Sequence, residues 1–383
     1  MVRIEPFQID VPQTTLVDLK ARLVNTRWPD FVPGSPWEQG TDLGYLREIH
    51  RYWIEEYDWR RHEAELNRLP QFMTKVDGVD IHFVHSRGKG PHPTPIVLTH
   101  GWPDSFYRFY KVIPMLTDPE KYGGDPRDSF DVVVPSLPGF GFSSRVPMPG
   151  NRIADLWEKL MTEHLGYARF GAAGGDLATW VTRSLAARYP HRVIGIHLTD
   201  VDYPSPDQAA SMGEPVRQLA AAMQRWLYTD GGYWLIQSTK PQTLAYGLTD
   251  SPMGLAAWIL DKFRSWSDCN GELESRFTKD ELLTNIMIYW VTHTFGSSAR
   301  MYYENNQALR GSTVHFDQRG GVPAGVAAFP KDLAPLPREW AEHMVDLKRF
   351  TVMPRGGHFA ALEEPDLFTN DLRAFFREVT TGK

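Results

Sequence analysis

The chain has 383 residues, is 42% hydrophobic and carries a formal net charge of -6. This length predicts one large domain or two ordinary ones, and the acidic balance gives no electrostatic reason to expect nucleic acid or acidic membranes as partners. The single cysteine, Cys269, excludes an internal disulfide and a cysteine-based zinc site. No apolar run approaches the roughly 18 residues that cross a bilayer, and the first residues lack a signal-peptide pattern, so we expect a cytoplasmic protein.

The first region, residues 1–71, is predicted to be a helical extension without a convincing strand. Two sets of apolar residues repeat there at helical spacing: Leu16, Leu19 and Leu23, then Leu46, Ile49 and Trp53. A connection rich in proline, glycine and tryptophan, residues 27–34, lies between them.

The second region, residues 72–200, alternates strand-like and helix-like segments, which predicts a mostly parallel sheet covered on both faces. Its strand candidates are Val79–His85, Pro95–Thr99, Phe130–Pro135, Arg169–Ala173 and Val193–Thr199. Residues 201–310 are helical and rich in aromatic residues, and two last strand candidates, around Val322–Ala328 and Arg349–Met353, fall within residues 311–383. We therefore expect residues 201–310 to form a lid over the carboxyl ends of the strands, where ligands bind in open α/β sheets.

A sharp strand-to-helix turn is predicted at Gly174-Gly175-Asp176. It has the small flanking residues of a nucleophile elbow, but Asp occupies the usual position of Ser. A carboxylate at this position is suited to displacement at a saturated carbon, which narrows the chemistry to opening an epoxide or losing a halide. The alternative is an ordinary turn residue or helix N-cap.

Two loops are expected at the same end of the sheet as this elbow, one at His100-Gly101-Trp102-Pro103 and one at residues 135–143. The first follows an apolar strand, so the backbone N–H groups of Trp102 and Leu177 are candidates for an oxyanion hole. His100 is interpreted as holding the loop rather than as a base. His82 and His85 lie three residues apart on a strand and point to opposite faces, which argues against a metal pair.

A histidine and an acid are predicted to complete a triad with Asp176. His358 follows the last strand in Arg355-Gly356-Gly357-His358, and Asp332 follows the penultimate one. The order nucleophile, acid, histidine is that of the α/β-hydrolase fold. Asp332 could instead cap a helix near Pro337, and Glu304 and Glu363 are then the substitutes for the acid.

These motifs resemble the microsomal-type epoxide hydrolases, in a soluble, bacterial-type branch without a membrane-anchoring helix. The matching strings run nearly end to end: Arg27-Trp28-Pro29-Asp30, Leu69-Pro70-Gln71-Phe72, His100-Gly101-Trp102-Pro103, Gly174-Gly175-Asp176, Gly232-Tyr233-Trp234, Arg300-Met301-Tyr302-Tyr303-Glu304-Asn305 and Arg355-Gly356-Gly357-His358-Phe359.

The resemblance implies a role for each matching residue. The family's nucleophile falls on Asp176, its histidine on His358 and its lid tyrosines on Tyr233 and Tyr302, with Tyr303 as the neighbouring alternative. Its charge-relay acid falls on Asp332, where similar enzymes usually carry Glu.

The resemblance also implies a reaction. An epoxide would become a vicinal diol through an ester of Asp176, and His358 would activate the water that hydrolyses it. No cofactor and no metal are required, and the partners are the epoxide and water, with a homodimer left open. The family serves detoxification, insect hormone degradation and natural-product tailoring, and the sequence does not choose among them.

Two other functions stay open at this point. A haloalkane dehalogenase also uses an Asp elbow, but it commonly carries a Trp after the nucleophile, where this chain has Leu177. A ligand-binding protein on a hydrolase scaffold would predict a decayed triad. Several lid aromatics suggest a pocket for aromatic substrates, without indicating which of them line it: Trp234, Tyr246, Trp258 and Trp266.

Overall fold

The computed structural model describes residues 3–34, 36–311 and 320–381. Across these residues one sheet has nine strands in the order β1-β2-β3-β5-β4-β6-β7-β8-β9. The strands are β1 Ile4–Pro6, β2 Gln71–Val76, β3 Val79–Ser86, β4 Thr94–Thr99, β5 Phe130–Pro135, β6 Phe170–Gly174, β7 Val193–Leu198, β8 Pro323–Ala328 and β9 Asp346–Val352. The first three strands and β5 pair antiparallel, and β5, β4, β6, β7, β8 and β9 are parallel.

The mostly parallel sheet of an α/β-hydrolase is confirmed, and all seven predicted strands form with ends shifted by at most a few residues. The expectation of no strand in the first 70 residues was wrong at β1. This strand has only three residues and is half-buried or exposed, so it carries no apolar alternation. It exists because it pairs with β2, about 67 residues later in the chain, and such a distant partner leaves no local pattern.

The helices fall into three groups along the chain. Before and within the first part of the sheet lie α1 Gln13–Val24, α2 Leu43–Glu55, α3 Trp59–Leu66, α4 Val112–Thr117, α5 Gly150–Lys159 and α6 Leu177–Arg188. Between β7 and β8 lie α7 Pro206–Ala210, α8 Glu214–Thr229, α9 Gly232–Thr239, α10 Pro241–Asp250, α11 Pro252–Trp266, α12 Lys279–Thr292 and α13 Phe295–Gly311. The last group is α14 Arg338–Met344, α15 Ala360–Glu363 and α16 Pro365–Thr381.

Short turns complete the described structure. They are 3₁₀ turns at Phe106–Phe109, Pro119–Tyr122, Pro126–Asp128 and Leu273–Ser275, and a π-helical turn at Leu160–His164. In the described part of the chain, none of the helices combines the length and the apolar character needed to cross a membrane.

Helices α7–α13, called the lid, are the expected helical insertion between β7 and β8. The predicted boundary with the second part of the core, at residues 310 and 311, stays a prediction, and residues 312–319 beyond it lie outside the described residues. The N-terminal helices hold the lid from outside. Arg22 on α1 contacts Asp250 at 2.6 Å, and the hydroxyl of Tyr52 on α2 donates to Asp280 at 2.9 Å.

The central strands position the site because their carboxyl ends meet at one edge. Ile96, Val97 and Leu98 on β4 are fully buried, as a parallel strand covered on both faces requires. Strands β4 and β6 are direct neighbours, so the loop after Thr99 and the turn after Gly174 lie side by side. This adjacency brings two of the predicted motifs together.

Candidate active site

The turn between β6 and α6 has the geometry of a nucleophile elbow. Asp176 adopts φ 60° and ψ -133°, a conformation that L-residues rarely occupy and that costs of order 1–3 kcal/mol. A Cβ on Gly174 would lie 2.7 Å from the Cβ of Ala178, and one on Gly175 would lie 2.0 Å from the Thr199 hydroxyl. Glycine at both positions is therefore a steric requirement of the turn.

The Asp176 carboxylate is directed toward the loop that follows β4. Its Oδ1 accepts a hydrogen bond from the Trp102 backbone N–H at 2.9 Å, and a Cβ on Gly101 would lie 2.5 Å from the same oxygen. Although Asp176 occupies the N-cap position of α6, its side chain makes no capping bond. Among the described residues, no bond forms from the Leu177 N–H to this carboxylate, so only one of the two predicted oxyanion donors contacts it.

His358 lies between the two carboxylates predicted to act with it. Its Nδ1 is 2.7 Å from Asp332 Oδ1, and its Nε2 approaches Asp176 Oδ2 to 3.3 Å without hydrogen-bond geometry. The Asp332 oxygen also accepts from the Leu333 N–H at 2.7 Å, which fixes the carboxylate. The structure thus brings the three predicted triad residues together from the ends of three different strands.

The charges around His358 control its proton. Burial alone would lower the pKa of its imidazole, but the negative charges of Asp332 and Asp176 and the contacts with both outweigh burial and raise that pKa well above its ordinary value. The two carboxylates thus favour the charged form of the imidazole, with Nδ1 directed to Asp332 and Nε2 to Asp176.

The two glutamates considered as substitutes for Asp332 lie elsewhere. Glu363 is buried and accepts hydrogen bonds from the backbone N–H groups of Gly357, Phe359 and Asp268 at 2.8 to 3.1 Å, so it shapes the loop that carries His358. Burial raises its pKa to about 7. Glu304 is half-buried on α13 and makes no contact with His358 among the described residues.

Asp332 does not cap the following helix. That helix, α14, begins at Arg338 with Pro337 in the cap position.

The two predicted lid tyrosines pack against the Trp102 indole, on the lid side of the elbow. Tyr233 stacks on the Trp102 indole with centroids 5.1 Å apart and a 6° interplanar angle, and Tyr302 meets the same indole edge-on at 5.9 Å. Burial, and after it the Asp176 charge, raise the pKa of both phenols well above the ordinary value, so both are neutral donors. The Tyr302 hydroxyl is buried beside the Tyr233 hydroxyl but makes no hydrogen bond of good geometry among the described residues, whereas Tyr303 is exposed.

Sequence reasoning missed a buried ion pair behind the oxyanion loop. Arg108 contacts Asp104, and its Nη2 donates to the His358 carbonyl at 2.6 Å. Asp104 also accepts from the Gly101 N–H at 2.9 Å. The two residues are four apart, one in a loop and the other in a 3₁₀ turn. Nothing local predicts that their contact would be buried or would join the loops that carry Trp102 and His358.

The lid adds a second charged group that sequence reasoning missed. Lys262 is buried, contacts Asp230 at 2.6 Å and lies 5.3 Å from the centre of the Tyr233 ring. Asp230 also accepts from the Trp266 indole N–H at 2.5 Å, and the Trp266 ring packs edge-on against His358. Trp266 is thus the lid aromatic that reaches the triad.

A cavity of about 1210 Å³ lies between the N-terminal segment and the lid. It borders this site through Tyr233, Trp266 and Asp332, although neither Asp176 nor His358 lines it. Trp258 also lines it, whereas Tyr246 is 73% exposed and is absent from its wall. Five exposed apolar side chains also belong to this wall: Phe31, Val32, Tyr228, Leu235 and Ile236.

The other histidines near the site have structural contacts. His100 is fully buried, its Nε2 accepts from the Leu137 N–H at 3.1 Å, and it thereby holds the loop as predicted. His82 contacts Ser136 and Gln71 at 2.9 Å, and burial lowers its pKa to about 3. Within the described residues, no three His, Cys, Asp or Glu side chains are grouped as a metal site would require.

Two protein-family descriptions match the sequence. Residues 4–109 match "Epoxide hydrolase N terminus", and residues 94–232 match "alpha/beta hydrolase fold". A putative epoxide hydrolase of Stigmatella aurantiaca is 46% identical over 98% of this chain and 85% of its own length. Epoxide hydrolase 1 of Sus scrofa is 37% identical over 97% of this chain and 88% of its own length.

Solved structures agree with these relatives. The juvenile hormone epoxide hydrolase of the silkworm Bombyx mori superimposes with a TM-score of 0.85 at 32% identity, over 100% of this chain and 95% of that one. The Aspergillus niger epoxide hydrolase gives a TM-score of 0.84 at 30% identity, over 98% of this chain and 97% of that one.

Proposed function

The chain belongs to the epoxide hydrolase family, and from that premise we propose that it opens an epoxide to a vicinal diol through an ester of Asp176. One observation carries the proposal: the Asp176 carboxylate, at a strained elbow, lies between the Trp102 N–H and the His358 imidazole at 2.9 and 3.3 Å. A residue used only to cap α6 would direct its side chain to that helix. The expected cytoplasmic location stays a prediction from the sequence, and the homodimer stays open.

In the first step an Asp176 oxygen attacks an epoxide carbon from the side opposite the breaking C–O bond. The ring oxygen becomes an alkoxide, which the Tyr233 and Tyr302 hydroxyls stabilise by donating hydrogen bonds. The Tyr302 hydroxyl supports this role because it is buried with only the Tyr233 hydroxyl beside it and without a hydrogen bond of good geometry, which is unfavourable until a ligand oxygen accepts from it. The alkoxide takes a proton from solvent by way of these phenols, and the product is a covalent ester of Asp176 next to a new hydroxyl group.

Ester formation changes the charge around His358. It removes the negative charge of Asp176, which is one of the factors that raise the pKa of the imidazole. The pKa therefore falls, the imidazolium releases its proton to solvent, and the neutral ring becomes a base. Asp332 keeps Nδ1 protonated, so Nε2 is the nitrogen that accepts a proton from water.

Hydrolysis then proceeds at the ester carbonyl carbon of Asp176. The activated water attacks that carbon while the Trp102 N–H holds the developing oxyanion, and a donor of this kind contributes about 10²–10³ in rate. Collapse breaks the ester bond, and the diol oxygen takes the proton from His358. The second proton of the water then passes from the Asp176 carboxyl group to His358, which restores both the carboxylate and the imidazolium.

The dehalogenase alternative finds only one donor of the kind it needs. A halide leaves with help from indole or amide N–H groups, and the buried Trp102 indole N–H has no partner among the described residues. The Trp266 indole N–H, however, donates to Asp230, and Leu177 follows the nucleophile. The groups that face the Asp176 carboxylate from the lid are phenols, which suit an oxygen.

The test is mass spectrometry of His358→Gln after incubation with panels of epoxides and haloalkanes. An adduct with the full mass of an epoxide, mapped to the Asp176 peptide, is expected because alkylation proceeds while hydrolysis stalls. Adding Tyr302→Phe should slow adduct formation, whereas exposed Tyr303→Phe serves as the matched control and should not. Adducts from haloalkanes alone would favour the dehalogenase, and binding without any adduct or turnover would favour a ligand-binding protein.

A further inference from the structure

We propose that Asp200 is a positioning residue for the nucleophile: its carboxyl group anchors the backbone of the elbow and so leaves the Asp176 side chain free to react. The inference rests on the proposed role of Asp176 as nucleophile. None of the sequence motifs pointed to Asp200.

The sheet brings Asp200 to the elbow. It follows β7, which pairs in parallel with β6, and β6 ends at the elbow. The Thr199 N–H donates to the Gly174 carbonyl at 3.3 Å, which continues this pairing past the end of the strand. The next side chain, that of Asp200, therefore lies directly beside the turn, and it is buried there.

The Asp200 carboxyl group joins two parts of the elbow. Its Oδ2 accepts from the Asp176 backbone N–H at 2.6 Å, and its Oδ1 accepts from the Thr179 hydroxyl at 2.7 Å. Thr179 is the third residue of α6. One carboxyl group thus connects the residue that carries the nucleophile to the first turn of the helix behind it.

These contacts replace a local cap that α6 lacks. In a capping box, the side chain of the third helical residue accepts from the backbone N–H of the N-cap residue. Here that third residue is Thr179, whose hydroxyl instead donates to Asp200, and Asp200 from the neighbouring strand accepts the N–H of Asp176.

An Asp in the N-cap position would normally cap the helix with its own side chain. The Asp176 side chain makes no such bond and reaches Trp102 instead. Without Asp200, the capping conformation of the Asp176 side chain would compete with the conformation that attacks substrate.

The anchor works in both protonation states of Asp200. Burial, and after it the charge of Asp332, raise the pKa of Asp200 to about 7, while Thr179, the Asp176 N–H and the charge of His358 oppose this rise. A hydroxyl both donates and accepts, so Thr179 can donate to the ionised group or accept from the protonated one. An amide of the same shape should therefore substitute for the carboxyl group.

Single-turnover kinetics with an epoxide that forms the Asp176 adduct test the proposal. In Asp200→Ala the rate constant of ester formation should fall about 100-fold, the effect of misplacing a reacting group by about 1 Å, while the substrate dissociation constant stays close to that of the parent. Asp200→Asn should restore the rate. Asp207→Ala is the control, because it removes an exposed carboxyl group on α7, just after the same loop.

The outcomes separate cleanly. If the parent protein forms no adduct with any epoxide, the proposed function itself fails. If the parent forms the adduct and folded Asp200→Ala forms it equally fast, or if Asp200→Asn is as slow as Asp200→Ala, the anchoring role is overturned. Should Asp200→Ala not fold, Thr179→Ala decides: it removes one of the two anchors and must slow ester formation, and an unchanged rate would overturn the proposal.

Discussion

At the scale of single residues, Asp332 and His358 are in direct contact, so a change in the acid changes the histidine. The Asp332 oxygen lies 2.7 Å from Nδ1, and its negative charge is the first of the factors that raise the pKa of the imidazole against burial. It therefore both orients the ring and sets the pH at which the ring becomes a base.

Asp332→Asn should slow ester hydrolysis by at least about 100-fold, because an amide no longer stabilises the imidazolium or selects its tautomer. Removing the negative charge also lowers the pKa of His358. The hydrolysis rate rises with pH as the imidazole loses its proton, so this rise should move to lower pH. The decay of the ester, followed by rapid quenching across pH, measures both effects. Asp332→Glu is the matched control that keeps the charge, and an unmoved pH midpoint in Asp332→Asn would contradict the assignment.

The sequence was sufficient to propose the triad residues because Asp176 and His358 each follow glycines that a tight turn requires, and Asp332 follows the penultimate strand, where the triad order places an acid. Gly174 and Gly175 predict a tight turn before Asp176, and Gly356 and Gly357 predict one before His358. Asp200 follows a strand without any such string, and its importance arises only from the neighbouring strand.

At the scale of elements, helix α12 supports the oxyanion loop from the lid. Its Asn285 side chain donates to the Pro103 carbonyl at 2.8 Å, and its Tyr289 hydroxyl donates to the Asp104 carbonyl at 2.6 Å. The helix starts with a capping box in which Thr278 accepts from the Glu281 N–H and Glu281 accepts from the Thr278 N–H. The start of α12 thus bears on the placement of Trp102.

Thr278→Ala should lower the free energy of unfolding by about 1 kcal/mol, since it removes the side-chain half of this cap. Urea denaturation followed by circular dichroism measures the change. Thr239→Ala is the control, because that hydroxyl lies exposed at the end of α9 and bonds only a carbonyl four residues earlier. Equal effects of the two substitutions would show that the cap contributes nothing specific.

Apolar runs such as that of β4 made the central strands predictable as elements. The edge strand β1 was not, because half-buried residues at a sheet edge show neither a continuous apolar run nor a regular alternation. The lid helices were predictable as helices, but their packing against Trp102 was not, since it depends on side chains distant in sequence.

At the scale of the whole molecule, the N-terminal segment packs against the lid. Helix α2 contacts α1 on one side and lid helices α11 and α12 on the other, and Ile49 is fully buried at this junction. The cavity that reaches Tyr233 lies between the same two parts of the chain. Their packing therefore contributes to stability and encloses this cavity.

Ile49→Ala should lower the free energy of unfolding by about 2–5 kcal/mol, because it leaves a cavity among three helices. Urea denaturation measures this, and Val17→Ala on α1 is the control because Val17 is 60% exposed. A loss below about 1 kcal/mol for Ile49→Ala would mean that the N-terminal helices are weakly coupled to the rest of the fold.

The stacking of Tyr233 on Trp102 has a consequence for substrate selection. In the proposed mechanism Tyr233 stabilises the oxygen released when the ring opens, whereas the Trp102 N–H serves the later attack by water. Because the two rings lie face to face, a substituent that displaces one displaces the other. For a bulky epoxide that fits poorly, both formation and hydrolysis of the Asp176 ester would then be slow. The two half-reactions should therefore rank substrates in the same order. The same should hold for the two enantiomers of one epoxide.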